Sequence, residues 1–225
     1  METPFTTEQF FEVFEKYNSA VFPFQLIILA LGFLVVLLIP GNKNFKNSLI
    51  AGFLGFLWLW NGIFYHISFF TSINIAAYAF GSLFIIQGLL LFIELFRKKL
   101  EFSFTGQLRE YIGCFFILFG LILYPIINYL LETSFVKTNS LGLPCPTTIF
   151  TFGFLMLTNN KLSKYLLIIP TIWALIGTGA ALNFGVYQDY FMVLSAIFAN
   201  FYLIKRKKYA ITPDSRASTE GSVFL

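Results

Sequence analysis

The chain has 225 residues, of which 57% are hydrophobic and only 12% charged, and it carries a formal net charge of +4. That charged share is roughly half the soluble average, which excludes an ordinary water-soluble domain. The cations sit in short connections rather than along one face, which excludes a nucleic-acid-binding stripe.

Apolar runs of about 20 residues match a hydrocarbon core roughly 30 Å thick. Lipid cannot satisfy backbone polar groups, so such runs must be helices rather than open sheet. The expected fold is all-α, a polytopic transmembrane bundle occupying 22–204. An amphipathic segment, 1–21, precedes it, and a basic then disordered tail, 205–225, follows.

Residues 1–21 carry Glu2, Glu8, Glu12 and Glu15 against one Lys16. They lack the cationic start of a secretory leader, so no cleavage is expected. Thr6 and Gln9 stand at capping-box spacing, Phe5 and Phe10 at the two positions of a hydrophobic staple, and Phe10, Phe14 and Tyr17 on one helical stripe. The pattern predicts a short helix on the membrane surface or against the bundle, with an aromatic lead-in to the first span as the alternative.

Spans are then expected at about 22–39, 48–70, 73–96, 110–131, 144–158, 164–182 and 188–204. With seven crossings, 13 Lys and Arg collect on one side and 2 on the other, which places the N-terminus outside and the C-terminus in the cytoplasm. The fifth stretch is the pivot of this count, being short and polar for a span. If it dipped into the bilayer and returned, the split would fall to 6 against 9. In the seven-span layout Cys114 and Cys145 lie near opposite faces, far beyond the reach of a disulfide.

Glu94 precedes Arg97 and Lys98 by three and four residues, the spacing of a helix-surface ion pair. Ala51 with Gly55, Ala77 with Gly81, and Gly177 with Ala181 are small residues four apart that permit close helix approach. The run Lys205 to Lys208 holds the last helix in orientation or touches anionic headgroups.

The groups capable of chemistry concentrate toward one membrane face. In the second span, Trp58, Asn61 and Tyr65 share a face, while His66, the single histidine, stands about 140° from Asn61 on an α-helix. His66 is either a proton switch or an interface residue bonded to a neighbouring helix. In the fifth span Pro146 suits the first helical position. The amides after it would then form an anion-attracting helix start, Thr147 and Thr148 would add hydroxyls, and Cys145 would be a candidate activated thiol. The alternative is that Pro-Cys-Pro simply starts a helix whose threonines bond back to their own carbonyls.

Asn74 and Tyr124, with Asn183 and Asp189, are expected at the same depth, so the candidate ligand pocket comprises Asn61, His66, Asn74, Tyr124, Cys145, Thr147 and Thr148. Asn74-x3-Tyr78 also echoes Asn183-x3-Tyr187, although the surrounding spacings differ. No cofactor is expected. One histidine and two distant cysteines cannot build a zinc site, and a copper(I) pair of Cys145 with His66 is the one arrangement that ligand softness leaves. The last span has no lysine for a retinal Schiff base, and no hydrolase or phosphate-loop motif is present.

Taken together, Phe5 to Asn18, Trp58 to Phe70 and Gly142-Leu-Pro-Cys-Pro-Thr-Thr-Ile-Phe-Thr-Phe-Gly153 resemble a family of bacterial multi-pass membrane proteins catalogued as a domain of unknown function. The resemblance covers nearly the whole chain and implies a bacterial cytoplasmic membrane, but no activity. Three functions stay open: a small-molecule transporter or ligand-binding protein for a small polar or anionic ligand, a structural or regulatory protein acting through lipids or partners, and a membrane-embedded enzyme using Cys145.

Overall fold

The computed structural model describes residues 4–41, 43–132, 134–158 and 162–204. The basic run and the tail expected to be disordered lie outside the described residues. Among those residues helix is the only regular structure, joined by irregular connections such as 98–107 and 134–143 and by isolated bridges such as Phe102 to Thr158.

The first helix, α1 (Thr7–Val21), starts where the sequence places it. The Gln9 N–H donates to Thr6 Oγ1 at 3.3 Å, and the Thr6 N–H donates to Gln9 Oε1 at 2.8 Å. The rings of Phe5 and Phe10 stack at 6.0 Å, the staple's contact. The buried stripe of Phe10, Phe14 and Tyr17 faces the protein. It meets Phe184 at 4.6 Å and Tyr65 at 5.7 Å, so α1 lies against the end of the bundle. The chain then bends by 85° into α2 (Phe24–Leu37).

The remaining elements are α3 (Lys43–Trp60), α4 (Ala77–Arg97), α5 (Leu108–Leu118), α6 (Tyr124–Glu132), α7 (Pro144–Met156), α8 (Ile168–Phe184) and α9 (Tyr190–Ile204). A π-helix, Asn61–Phe69, extends α3, and a π-turn, Phe119–Leu123, joins α5 to α6. Four helical stretches are long and apolar enough to cross a membrane: Phe45–Ser72, Ala77–Arg97, Leu108–Leu131 and Lys164–Phe184. The bent pair of α1 and α2 makes five if counted as one. At 14, 13 and 15 residues, α2, α7 and α9 are shorter than the usual spanning length of about 17–25.

α7 occupies the centre. Thr147 to Phe152 and Phe154 to Leu157 are fully shielded, so no face of this helix needs to be lipid-compatible, and it carries three threonines and a glycine that a lipid-facing helix would not favour. Its neighbours come close enough to touch backbone. A Cβ on Gly153 would sit 2.7 Å from the Gly113 carbonyl oxygen, and one on Gly120 would sit 2.7 Å from the Pro146 carbonyl oxygen. The π-helix and α4 approach in the same way, with a Cβ on Gly62 falling 2.8 Å from the Gly81 carbonyl oxygen. Trp58 donates to Thr151 Oγ1 at 3.0 Å and Asn61 to Thr147 Oγ1 at 3.3 Å, so two residues of the face predicted for the second span meet two threonines one turn apart on α7.

Both ends of α7 are tied down. At its start Tyr17 donates to the Gly142 carbonyl at 3.0 Å, and the Gly142 N–H donates to Thr147 Oγ1 at 3.3 Å. At its end the buried Arg109 guanidinium donates to the carbonyls of Met156 and Thr158 and pairs with Glu110 at 2.9 Å. Carbonyls in a last helical turn have no partner within the helix, and a cation there also meets the negative end of the dipole. Two poles result. Around the first gather α1, the end of the π-helix, Leu143 and Phe184. Around the second gather Arg109, the Phe102 to Thr158 bridge, and Asn47, which accepts the Phe102 N–H.

Glu94 differs from the expected surface pair. It is 1% exposed, and although Arg97 stands 3.5 Å away, its Oε1 also accepts from Ser163 and Tyr165. The carboxylate therefore holds the segment leading into α8 to the end of α4. Lys98 instead takes a left-handed conformation at φ 50° and closes α4.

Candidate functional site

Under α1 lies a cavity of about 210 Å³. Phe5, Phe10 and Phe14 roof it, because the amphipathic stripe that makes α1 a helix is the face it turns downward. Tyr65, Phe70 and Phe80 contribute wall, and Leu143 to Pro146 the edge where α7 begins. The polar groups in its lining are Asn74, Asn139, Asn183, Cys145, the phenol of Tyr65 and the indole of Trp173. A larger cavity, about 350 Å³, opens at the other pole among Asn47, Ser48, Glu94 and Lys98.

Of the residues predicted for the pocket, Asn74 and Cys145 line this cavity, and Asn183, predicted at the same depth, joins them. The two asparagines of the echoed Asn-x3-Tyr spacing thus face one space. Asn61, His66, Tyr124, Thr147 and Thr148 lie behind the wall. Thr148 donates to the Pro144 carbonyl at 2.8 Å, the back-bonding that the sequence left open, whereas the Thr147 hydroxyl accepts from Asn61 and from the Gly142 N–H; Thr151 donates to the Thr147 carbonyl at 2.8 Å.

The helix starts at Pro144 rather than at Pro146, which changes what it offers an anion. Prolines at 144 and 146 supply no N–H, and the Thr147 N–H is taken by the Leu143 carbonyl at 3.2 Å. Little of the usual anion-attracting set of first-turn amides remains.

Behind Cys145 lies a buried polar cluster. Tyr124 donates to Asp189 Oδ1 at 2.6 Å, and the Cys145 thiol sits beside Asp189, Tyr124 and Trp173. Cys145 itself is only half-buried, because it borders the cavity. Asn139 receives no strand or helix partner for its backbone; its N–H donates to Asn128 Oδ1 at 2.6 Å, which presents its side chain to the cavity. The sequence reading missed Asn139 and Trp173, since nothing in their spacing marks them. Both thiols are free.

His66 departs furthest from expectation. The π-helix bonds each N–H five residues back, so Asn61 and His66 stand on adjacent turns instead of about 140° apart. Both are fully buried. His66 bonds to no neighbouring helix: its two ring nitrogens have no hydrogen-bond partner among the described residues. Its ring is packed by Phe84 at 4.6 Å, Trp173 at 5.0 Å and Tyr65 at 5.1 Å. Among the described residues no group of three or more His, Cys, Asp or Glu is placed to hold a metal ion.

One family model matches the chain, that of a family of unknown function (DUF6064), over residues 7–212. No curated protein and no solved structure matches.

Proposed function

The chain belongs to the DUF6064 family of unknown function, which supplies no activity, and from its own geometry we propose that it is a seven-pass protein of a bacterial cytoplasmic membrane with a ligand pocket beneath α1. The seven-pass reading draws on the two poles. Lys16 and Lys137 stand at the α1 pole, where Lys137 meets Glu15 at 3.8 Å. Arg97 and Arg109 stand at the other, as the strong bias in the basic residues requires. α7 is short because protein surrounds it on every side, and the loops at its two ends complete the crossing. The N-terminus and the pocket then face outside, and the C-terminus faces the cytoplasm.

The observation that carries the pocket is the aromatic roof over a cavity with Cys145 at its edge. Among the described residues no cation lines the cavity, and Asp189 lies just behind it, which favours a small uncharged ligand over an anionic one. A test uses Cys114→Ser protein in proteoliposomes treated with N-ethylmaleimide. Labelling of Cys145 should be slow and should accelerate several-fold when Phe10→Ala and Phe14→Ala open the roof. A Cys145 that stays unlabelled with the roof opened would rule the pocket out.

A further inference from the structure

Four polar atoms without a well-formed hydrogen bond among the described residues gather at one flank of the cavity and just behind it. Trp173 and Asn139 are both wall residues and both more than nine-tenths buried; Asn139 Oδ1 has no partner among the described residues, and the indole N–H has beside it only the Cys145 sulfur, a weak acceptor that makes no well-formed hydrogen bond with it. Directly behind Trp173, at 5.0 Å between rings, stands His66 with both nitrogens unpaired. Buried polar groups are nearly always satisfied, so orphans clustered beside a cavity call for an occupant rather than for separate explanations.

What the orphans lack defines the occupant. The indole N–H needs an acceptor, and Asn139 Oδ1 needs a donor. A neutral imidazole presents one N–H and one lone pair, so it needs one of each. A hydroxyl is donor and acceptor at once. The rest of the wall is aromatic, with Phe10, Phe14, Phe70 and Phe80 presenting ring edges and faces that favour another ring. Size is restrictive too: an apolar cavity of about 150 Å³ accommodates benzene, so one of about 210 Å³ has room for a single ring with one or two small substituents.

Resting on the pocket reading above, we infer that the ligand is a hydroxylated single-ring aromatic, a phenol, with its hydroxyl turned toward Trp173 and Asn139 and its ring against the phenylalanines of α1. His66 is a positioning residue, packed against the indole from behind at 5.0 Å so that the indole N–H stays turned to the cavity.

The test compares phenol with toluene, which keeps the ring and the size but lacks the hydroxyl. In Cys114→Ser protein in detergent, the rate of Cys145 labelling by N-ethylmaleimide is measured by mass spectrometry against the free concentration of each compound. Phenol should protect Cys145 saturably, at about tenfold lower concentration than toluene, the ratio expected of one well-placed hydrogen bond. Trp173→Phe should bring the two compounds together. His66→Leu, which keeps the packing, should narrow the gap without abolishing ring binding. Equal protection by phenol and toluene in the unsubstituted protein would overturn the phenol assignment while leaving the pocket standing. Protection by neither would overturn both.

Discussion

α4 and α7 are neighbours in one bundle built to different rules. α4 has 21 residues and turns Ile86, Leu89 and Ile93 outward, each about half-exposed. α7 has 13 and turns almost nothing outward. The outer helix is defined by what it shows to its surroundings and the inner one by what it can afford to hide: three threonines, a glycine at van der Waals contact with another backbone, and ends sealed by a tyrosine and an arginine. A helix wholly enclosed by protein escapes both the length and the hydropathy that lipid imposes.

The largest contrast is expected at the two arginines. Arg109→Met strips the Met156 and Thr158 carbonyls of a donor and leaves the buried Glu110 without its cation, held among the described residues only by Thr105 and Gln107, a loss of about 3 kcal/mol. Arg97→Met, at the end of α4, removes a half-exposed guanidinium that shares Glu94 with two hydroxyls, and should cost about 1 kcal/mol or less. Thermal unfolding of the purified variants in one detergent measures both. Equal losses would mean that α7 is not the anchored element.

Next comes packing. Gly153→Ala drives a methyl against the Gly113 carbonyl, and since backbone must yield, about 1–3 kcal/mol should be lost. Leu89→Ala on the outward face of α4 should stay within about 0.5 kcal/mol. A smaller effect sharpens the comparison further. Thr151→Val leaves the Trp58 N–H unpaired in the core and should cost about 1–2 kcal/mol. Adding Trp58→Phe to that variant should then cost less than it does alone, a non-additivity that a double-mutant cycle reads directly. Strict additivity would show that the two side chains do not interact.

The same contrast explains what was legible in the sequence. Helices long and apolar enough to cross a membrane announce themselves by that length, so the predicted stretches at 73–96 and 110–131 fall on α4 and on the α5 to α6 run within a few residues. The capping box and the aromatic stripe of α1 are local signals and were legible for that reason. Less could be read where partners lie far apart in the chain. Glu94 has its Arg97 three residues away, but its other bonds come from Ser163 and Tyr165. His66 was placed on a 3.6-residue helix, whereas the close approach of Gly62 to Gly81 accompanies a π-helix that turns it into an aromatic cage. Within the candidate pocket, Asn74 and Cys145 were legible as polar interruptions of apolar runs, while Trp173 and Asn139 owe their significance to missing partners that only three dimensions reveal.

The central claim is that α7, despite its length, carries the chain from one membrane face to the other. Single cysteines placed on its two sides decide this, with Phe135→Cys and Lys164→Cys each introduced into protein lacking Cys114 and Cys145; both positions are exposed. With a membrane-impermeant maleimide on intact cells, the cysteine at 135 should label at once and the cysteine at 164 only after the membrane is permeabilised. Labelling of both from the same side would make α7 a re-entrant element and contradict the seven-pass account.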